Sequence, residues 1–352
     1  MKRYNCVCGN TLFFENSLCV SCKRDVGWCP TCKQITALEP AADGNGFTCQ
    51  NKDCGAHLLK CDNYVTHNVC NRCVPVEAAE ASGAAPRCDY CRFNRTIPKL
   101  DVPTNLKRWG WLEAAKRRAL HDFDRLGLKY GMAADGVNPP LAFEFKADSD
   151  DPAAEYQDVS AGEKVFTGHD NGLITINLKE ADPVERERAR VDFREAHRTL
   201  VGHFRHELGH YVWDVSVKGE REPAFNKLFG DANAVPYGQA LAEYHKNGAK
   251  PDWATAYVSA YATMHPWEDW AETFAHYLSM MATMDTAVEG KLVPPLDLSD
   301  FGQITREYAR LGLALNELNR GIGLVDFLPE VIVGPVCEKM AFVHGLTRFG
   351  GA

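Results

Sequence analysis

The sequence predicts an α+β protein: a Cys-rich N-terminal module over residues 1–97, then a mainly helical domain with a small sheet over residues 104–352. Three observations carry this. Thirteen of the 14 cysteines lie within the first 91 residues. In the remainder, apolar residues recur mostly at helical spacing, and only two short runs read as strands. Hydrophobic residues make up 45% and charged residues 24%, ordinary values for a globular chain. The formal net charge of -8 gives no bulk pull towards nucleic acid or anionic lipid. No run of about 18 or more apolar residues exists, so no membrane span is expected. The N-terminus, MKRYNCVCGN, lacks the apolar stretch of a secretory signal. A cytoplasmic location is therefore expected, where clustered cysteines bind metal rather than form disulfides.

The cysteines fall into paired knuckles. Cys6 and Cys8 precede Cys19 and Cys22; Cys29 and Cys32 precede Cys49 and Cys54; Cys88 and Cys91 close a third group. Two such pairs present four thiolates in a tetrahedron, the closed structural site that Zn²⁺ accepts, so three structural zinc sites in zinc ribbons are expected. Gly9, Gly27, Gly55 and Asn71 suit the tight turns that knuckles need. The third group is ambiguous: either Cys70 pairs with Cys73, or Cys61 pairs with Cys70 and Cys73 is spare. His57 and His67 read as surface or hydrogen-bonded residues rather than ligands. The head has few large apolar residues, so metal is needed to fold it. Residues 1–100 hold 12 Lys+Arg and 9 Asp+Glu. Each zinc with four thiolates leaves about -2, which brings the head to about -3. That balance makes nucleic acid an unlikely partner and favours a protein-binding or structural role for the ribbons.

In order along the body, residues 75–87 read as a loop within the third site and 92–104 as the connection between the two parts. A helix is predicted over 105–126, where Leu106, Trp109, Leu112, Ala115, Ala119 and Phe123 share a face. Residues 132–140 form a Gly/Pro-rich loop. Residues 141–146 and 172–178 read as strands. Asp182 caps a helix that opens at Pro183 and runs to about residue 215. Further helices are predicted near 222–230, 236–247, 252–282, 301–320 and 336–345. Cys337 reads as a small buried residue.

Within the helix opening at Pro183 stands His206-Glu207-Leu208-Gly209-His210. Histidines four apart share one helix face and bracket a single metal ion. Glu207 is placed to take a proton from a metal-activated water, the arrangement of zinc-assisted hydrolysis. His203 reads as a helix-face residue. A third ligand is sought in the stretch 265–276, where Glu268 and Glu272 lie one turn apart. Glu268 would complete a His₂Glu site with one open position, and Glu272 would orient a ligand imidazole through its free N–H. The reverse assignment is open, with Asp269 and His276 as weaker candidates.

HELGHYVWD followed by EDWAE resembles the gluzincin metallopeptidases, whose two histidines and distant glutamate bind zinc. More narrowly, the chain resembles a bacterial zinc-binding metallopeptidase family with an N-terminal zinc ribbon. The matching stretches are CVCGNTLFFENSLCVSCKRDVGWCP, CRFNRTIPKL, GLITINLKEADPVERER, HFRHELGHYVWD and HPWEDWAETFAHYL, spread over nearly the full length. The resemblance implies a zincin-like catalytic domain and favours Cys61, Cys70, Cys88 and Cys91 as the third zinc site. It implies that Asp214 supports the metal site from behind the ligands and that Tyr261 stabilises the oxyanion, with Tyr257 and His265 as rivals. It also implies that the strand 172–178 is the edge beside the active-site cleft.

The expected function is that of a zinc metallopeptidase with one catalytic and about three structural zinc ions, acting on a protein or peptide substrate. A protein partner could dock on the ribbons; no membrane is involved. The alternative is a zinc-ribbon adaptor, protein-binding or nucleic-acid-associated, whose His-Glu-x-x-His site is structural or inactive. A non-peptide amide substrate is a further option, because the motif reports water activation and not the acyl group.

Overall fold

The computed structural model describes residues 2–148, 164–192, 199–326 and 332–349. The chain divides into two compact units: Met1–Arg118 with Ala142–Gly168 and Thr175–Leu200, and Ala119–Leu141 with His169–Ile174 and Val201–Ala352.

The first unit begins with a small hairpin, β1 (Tyr4–Asn5) and β2 (Thr11–Leu12). An antiparallel meander follows: β3 (Val26–Cys29), β4 (Gln34–Pro40), β5 (Phe47–Cys49), β6 (His57–Lys60) and β7 (Cys73–Pro75). The Cys-x-x-Cys turns are tight. Lys23 N–H and Lys33 N–H donate at 2.9 Å to the carbonyls of Cys19 and Cys29, four residues back. Both lysines sit at positive φ, +61° and +56°, a costly conformation for a residue with a Cβ. Gly9 and Gly55 also turn at positive φ. Gly27 and Asn71 do not make turns, contrary to expectation. Gly27 lies inside β3, where a Cβ would come within 3.0 Å of Cys73 Sγ. The Asn71 amide instead donates to the carbonyls of Phe14 and Asn16, at 2.6 and 3.1 Å.

The head's apolar core is small, as its composition implies. Trp28 packs edge-on against Tyr4 and Phe14, with Leu12, Val26, Ile35 and Ala37 around them. Arg72, buried, lies between the rings of Trp28 and Tyr90 and donates to Asp89 Oδ1 at 2.6 Å. A short helix, α1 (Asp62–Val65), precedes β7. The expected loop 75–87 contains a helix, α2 (Val76–Ser82), closed by Gly83 at φ +62°. Its Ala and Glu residues are helix formers, and Gly supplies the left-handed cap. The expected connection contains a strand, β8 (Asn94–Thr96), paired in parallel with β9 (Ala142–Lys146).

Helix α3 (Pro103–Leu126) covers the predicted 105–126. Its Glu113 and Lys116 are buried and paired at 2.9 Å, with Asn94 donating to the same carboxylate at 2.7 Å. Strands β10 (Gly168–Asp170) and β11 (Leu173–Asn177) complete a sheet ordered β10-β11-β9-β8. The predicted strand 172–178 therefore has neighbours on both sides, and the sheet's edges are β10 and β8. The expected long helix from Pro183 is α4 (Pro183–Asp192) and α5 (Leu200–Val212), capped at its start by Asp182; residues 193–198 lie outside the described residues.

The second unit is helical: α5 with α6 (Glu222–Phe229), α7 (Tyr237–Asn247), α8 (Pro266–Glu289), α9 (Phe301–Gly321) and α10 (Gly334–His344). Four of these match the predictions within a few residues. The helix expected over 252–282 starts only at Pro266, after two short 3₁₀ turns, and continues to Glu289. The reason is local. Proline has no N–H to donate and forces His265 before it into an extended conformation, so it fits the first helical position and not an interior one.

Helix α8 is the centre of this unit. Trp270, Phe274, Tyr277, Leu278, Met281 and Met284 are buried along it, and α6, α9 and α10 pack against it. Helix α5 meets α8 at Gly209. A Cβ there would stand 3.2 Å from Ala271 Cα and 3.2 Å from Phe274 Cδ1. Trp270 Nε1 donates to the Gly209 carbonyl at 2.7 Å. Arg205 adds a second tie, donating to Asp122 Oδ2 at 2.7 Å and to Ser279 Oγ at 2.9 Å. Gly209→Ala gains about 1 kcal/mol of helix propensity, and overpacking against a backbone atom outweighs it. We expect a net loss of about 1–2 kcal/mol in denaturant unfolding; a stabilised variant would show that the helices do not touch here.

Candidate metal centres

Three groups of four cysteines come together: Cys6, Cys8, Cys19 and Cys22; Cys29, Cys32, Cys49 and Cys54; Cys61, Cys70, Cys88 and Cys91. The sulfurs stand 3.6 Å apart for Cys6 and Cys22, 3.7 Å for Cys8 and Cys19, 3.8 Å for Cys29 and Cys54, 3.9 Å for Cys32 and Cys49, and 3.8 Å for Cys70 and Cys88. A tetrahedral zinc with Zn–S bonds of about 2.3 Å places its sulfurs about 3.8 Å apart, so the donor sets fit this metal. The third group adds N–H···S contacts at 3.4 Å from Cys88 to Cys61, from Arg72 to Cys70 and from Cys91 to Cys88. These favour thiolates, whereas burial, with the neighbouring sulfurs of Cys70 and Cys91, pushes the Cys88 thiol well up; a bound dication removes that conflict. Cys73 lies outside the third group, buried beside Cys29, Leu38, Cys49 and Leu58. His57 bonds to the Asn45 carbonyl and His67 packs on Trp109; neither joins a cysteine group.

A fourth cluster lies in the second unit. Residues 206 and 210, one turn apart on α5, project onto the first turn of α8, and His206, His210 and Glu268 offer donor atoms close together. His206 Nε2 is 3.0 Å from Glu268 Oε2, and His210 Nε2 is 3.4 Å from Glu268 Oε1. Nitrogen and oxygen ligands of a tetrahedral zinc stand about 3.4 Å apart, so this set also fits. Burial opposes ionisation of Glu268, but the two imidazoles outweigh it and hold its carboxyl well below the usual range. Glu272 donates nothing to the cluster directly. It accepts from His206 Nδ1 at 2.7 Å and from Ser259 Oγ at 2.7 Å. Against its burial, these contacts hold it at about 2. An ionised Glu272 fixes the proton of His206 on Nδ1 and leaves Nε2 free as a ligand. Glu207 is buried beside the same imidazoles; burial raises its carboxyl above the ordinary value, and His206 and His210 pull it partly back.

The remaining candidates separate. Asp269 faces away, bonded to Lys339 at 2.6 Å and pushed by burial to about 6. His276 Nδ1 bonds to the Glu272 carbonyl. Asp214 lies just beyond α5, 3.8 Å from His169 Nε2 and 3.6 Å from Lys218 Nζ. It makes no hydrogen bond to His210, whose buried Nδ1 has no partner among the described residues. The Tyr261 ring is 6.4 Å from that of His206. Tyr257 accepts from Lys250, and His265 caps α8.

Two neighbours of the cluster escaped the sequence reading. Tyr237, at the start of α7, donates to Glu268 Oε1 at 2.9 Å. His169, in β10, lies parallel to His210 with ring centres 6.4 Å apart. It accepts from Gly172 N–H at 2.9 Å, and burial keeps it neutral, with its value lowered to about 3. Neither stands at a spacing tied to the His-Glu-x-x-His motif. The available signals were a polar-tipped aromatic opening a predicted helix, and a histidine just ahead of a predicted strand.

A family described as "putative zinc-binding metallo-peptidase" matches residues 105–346, and a zinc-ribbon domain family matches residues 3–102. Uncharacterized proteins of Mycobacterium tuberculosis, strains H37Rv and CDC 1551, and of Mycobacterium bovis are each 36% identical over 355 residues, covering 98% of this chain and 94% of theirs. No solved structure matches the chain. Over most of its length, and behind a zinc-ribbon domain, the chain thus belongs to the family of "putative zinc-binding metallo-peptidases".

Proposed function

We propose that this protein is a zinc-dependent metallopeptidase of the gluzincin type that hydrolyses peptide bonds in a protein or peptide substrate. One observation carries the reading: two imidazole nitrogens and one carboxylate converge at zinc-ligand separations, with a second, buried carboxyl on the residue between them. His206, His210 and Glu268 would hold the metal, with one position open. Zinc held in this way supplies a Lewis acid that brings the pKa of a water to near neutrality.

The rest falls to the chain's own groups. Glu207, its proton affinity raised by burial, takes the proton from the water and hands it to the departing amine nitrogen. Glu272 and Ser259 keep His206 in the ligating tautomer. Asp214 is assigned to support the metal site from beyond α5, through its charge and without a hydrogen bond to His210, and Tyr261 is assigned to the oxyanion. Residues 1–97 act as a ribbon domain with three structural zinc ions, and residues 104–352 as the catalytic domain. The many reduced cysteines suit the cytoplasm. The ribbons serve to dock a protein substrate or partner.

Elemental analysis of protein purified without added metal tests the stoichiometry. Four zinc ions are expected, falling to three in His206→Ala/His210→Ala; an equal count in both proteins would favour the adaptor reading. Glu207→Gln should keep all four ions and lower kcat on a peptide library by about 10²–10⁴-fold. A zinc-loaded wild type that cleaves no peptide, or a Glu207→Gln variant as active as wild type, would sink the peptidase reading. Glu272→Ala should weaken zinc at this site by about 10–100-fold in a chelator competition while leaving the other three ions in place; unchanged affinity would remove Glu272 from the site.

A further inference from the structure

The two oxygens of Glu268 are not equivalent. Oε1 accepts the Tyr237 hydroxyl at 2.9 Å and faces His210 Nε2 at 3.4 Å. Oε2 is buried, has no hydrogen-bond partner among the described residues, and lies 3.0 Å from His206 Nε2. A buried carboxylate oxygen without a donor needs a cation. Zinc has no d-electron preference and expands from four to five ligands readily. Whether a carboxylate binds it through one oxygen or two is therefore decided by what else engages those oxygens.

Tyr237 is held in register for this task. Its ring packs edge-on against His265 at 5.4 Å and Trp267 at 6.1 Å, the residues on either side of the Pro266 that opens α8. It is otherwise a residue of an unburied helix: α7 contains no buried side chain, and Tyr237 is itself 38% exposed. Packing alone gives this residue little reason to reach inward.

We propose that Tyr237 sets the denticity of Glu268, its hydroxyl engaging Oε1 so that only Oε2 is offered to the metal. The donor set is thereby kept at three protein atoms with a fourth position open. Tyr237 is a positioning residue in this scheme, distinct from the oxyanion role assigned to Tyr261. The inference rests on the zinc-site reading above.

The test reads coordination and not turnover. The His206/His210 site is emptied with a chelator, the cysteine sites keep their zinc, and Co²⁺ is added to the full-length protein. Wild type should give the intense visible bands of four-coordinate Co²⁺, and His206→Ala/His210→Ala none. Tyr237→Phe deletes one oxygen from a partly exposed ring, so the fold, checked by circular dichroism, is kept. Its Co²⁺ bands should weaken several-fold into a five-coordinate pattern, while Tyr261→Phe keeps the wild-type spectrum. A Tyr237→Phe spectrum identical to wild type, or complete loss of bound Co²⁺ in that variant, overturns the proposal and leaves the zinc site standing. Absence of histidine-dependent bands in wild type overturns both.

Discussion

The proposed metal site depends on how closely α5 approaches α8. Two histidines on one helix supply only half of a binding site; the carboxylates come from the other helix, and their reach is fixed by the backbone separation. Gly209, inside the motif itself, sets that separation by having no side chain to hold the helices apart. The indole of Trp270 and the guanidinium of Arg205 then tie the contact on either side. The chemistry of the ligand residues would be useless at a wider spacing, so a packing constraint lies beneath the electrostatic one.

Charge explains why the contact is worth keeping. Three carboxyls, on Glu207, Glu268 and Glu272, gather around two imidazoles in a site largely closed to water. Burying such groups is costly unless they are paired. Glu272 is satisfied by His206 and Ser259. Glu268 is left with an oxygen that has no hydrogen-bond partner among the described residues, and Glu207 responds to burial by holding its proton more tightly. A dication placed among the ligands answers the first deficit, and the second is the property a proton shuttle requires. The same carboxyl type thus takes three states through differences in neighbours alone.

Much of this was legible in the sequence where periodicity was clean. Helices α3, α6, α7, α9 and α10 follow apolar spacing and fall within a few residues of expectation. The head's strands are two to seven residues long and are organised by sulfur ligands, so side-chain alternation says little about them. The start of α8 was misplaced because apolar spacing extends past Pro266, where the backbone cannot. In the candidate cluster, the motif pointed to His206, Glu207 and His210, and helical spacing to Glu268 with Glu272, and the fold brings these residues together. His169 and Tyr237 were not legible: their proximity to the site comes from tertiary packing, which no local pattern encodes. The third cysteine group shows the same limit in part: spacing leaves Cys61 and Cys73 both open, the family resemblance favours Cys61, and the fold puts Cys61 beside Cys70.

The three cysteine groups differ in their burial. Cys8 is exposed and Cys22 half-buried, Cys32 and Cys54 of the second group are half-buried, and all four cysteines of the third are buried. Ligand exchange at zinc begins with an incoming group reaching the metal's surroundings, so the residence time of the ion should rise from the first group to the third. With zinc in all three groups the head would be a graded series of clasps, the N-terminal one the quickest to open and the one nearest α3 in sequence the slowest. A chain of this kind can lose its first ion, and the local hairpin with it, while the Cys88–Cys91 end of the head stays folded.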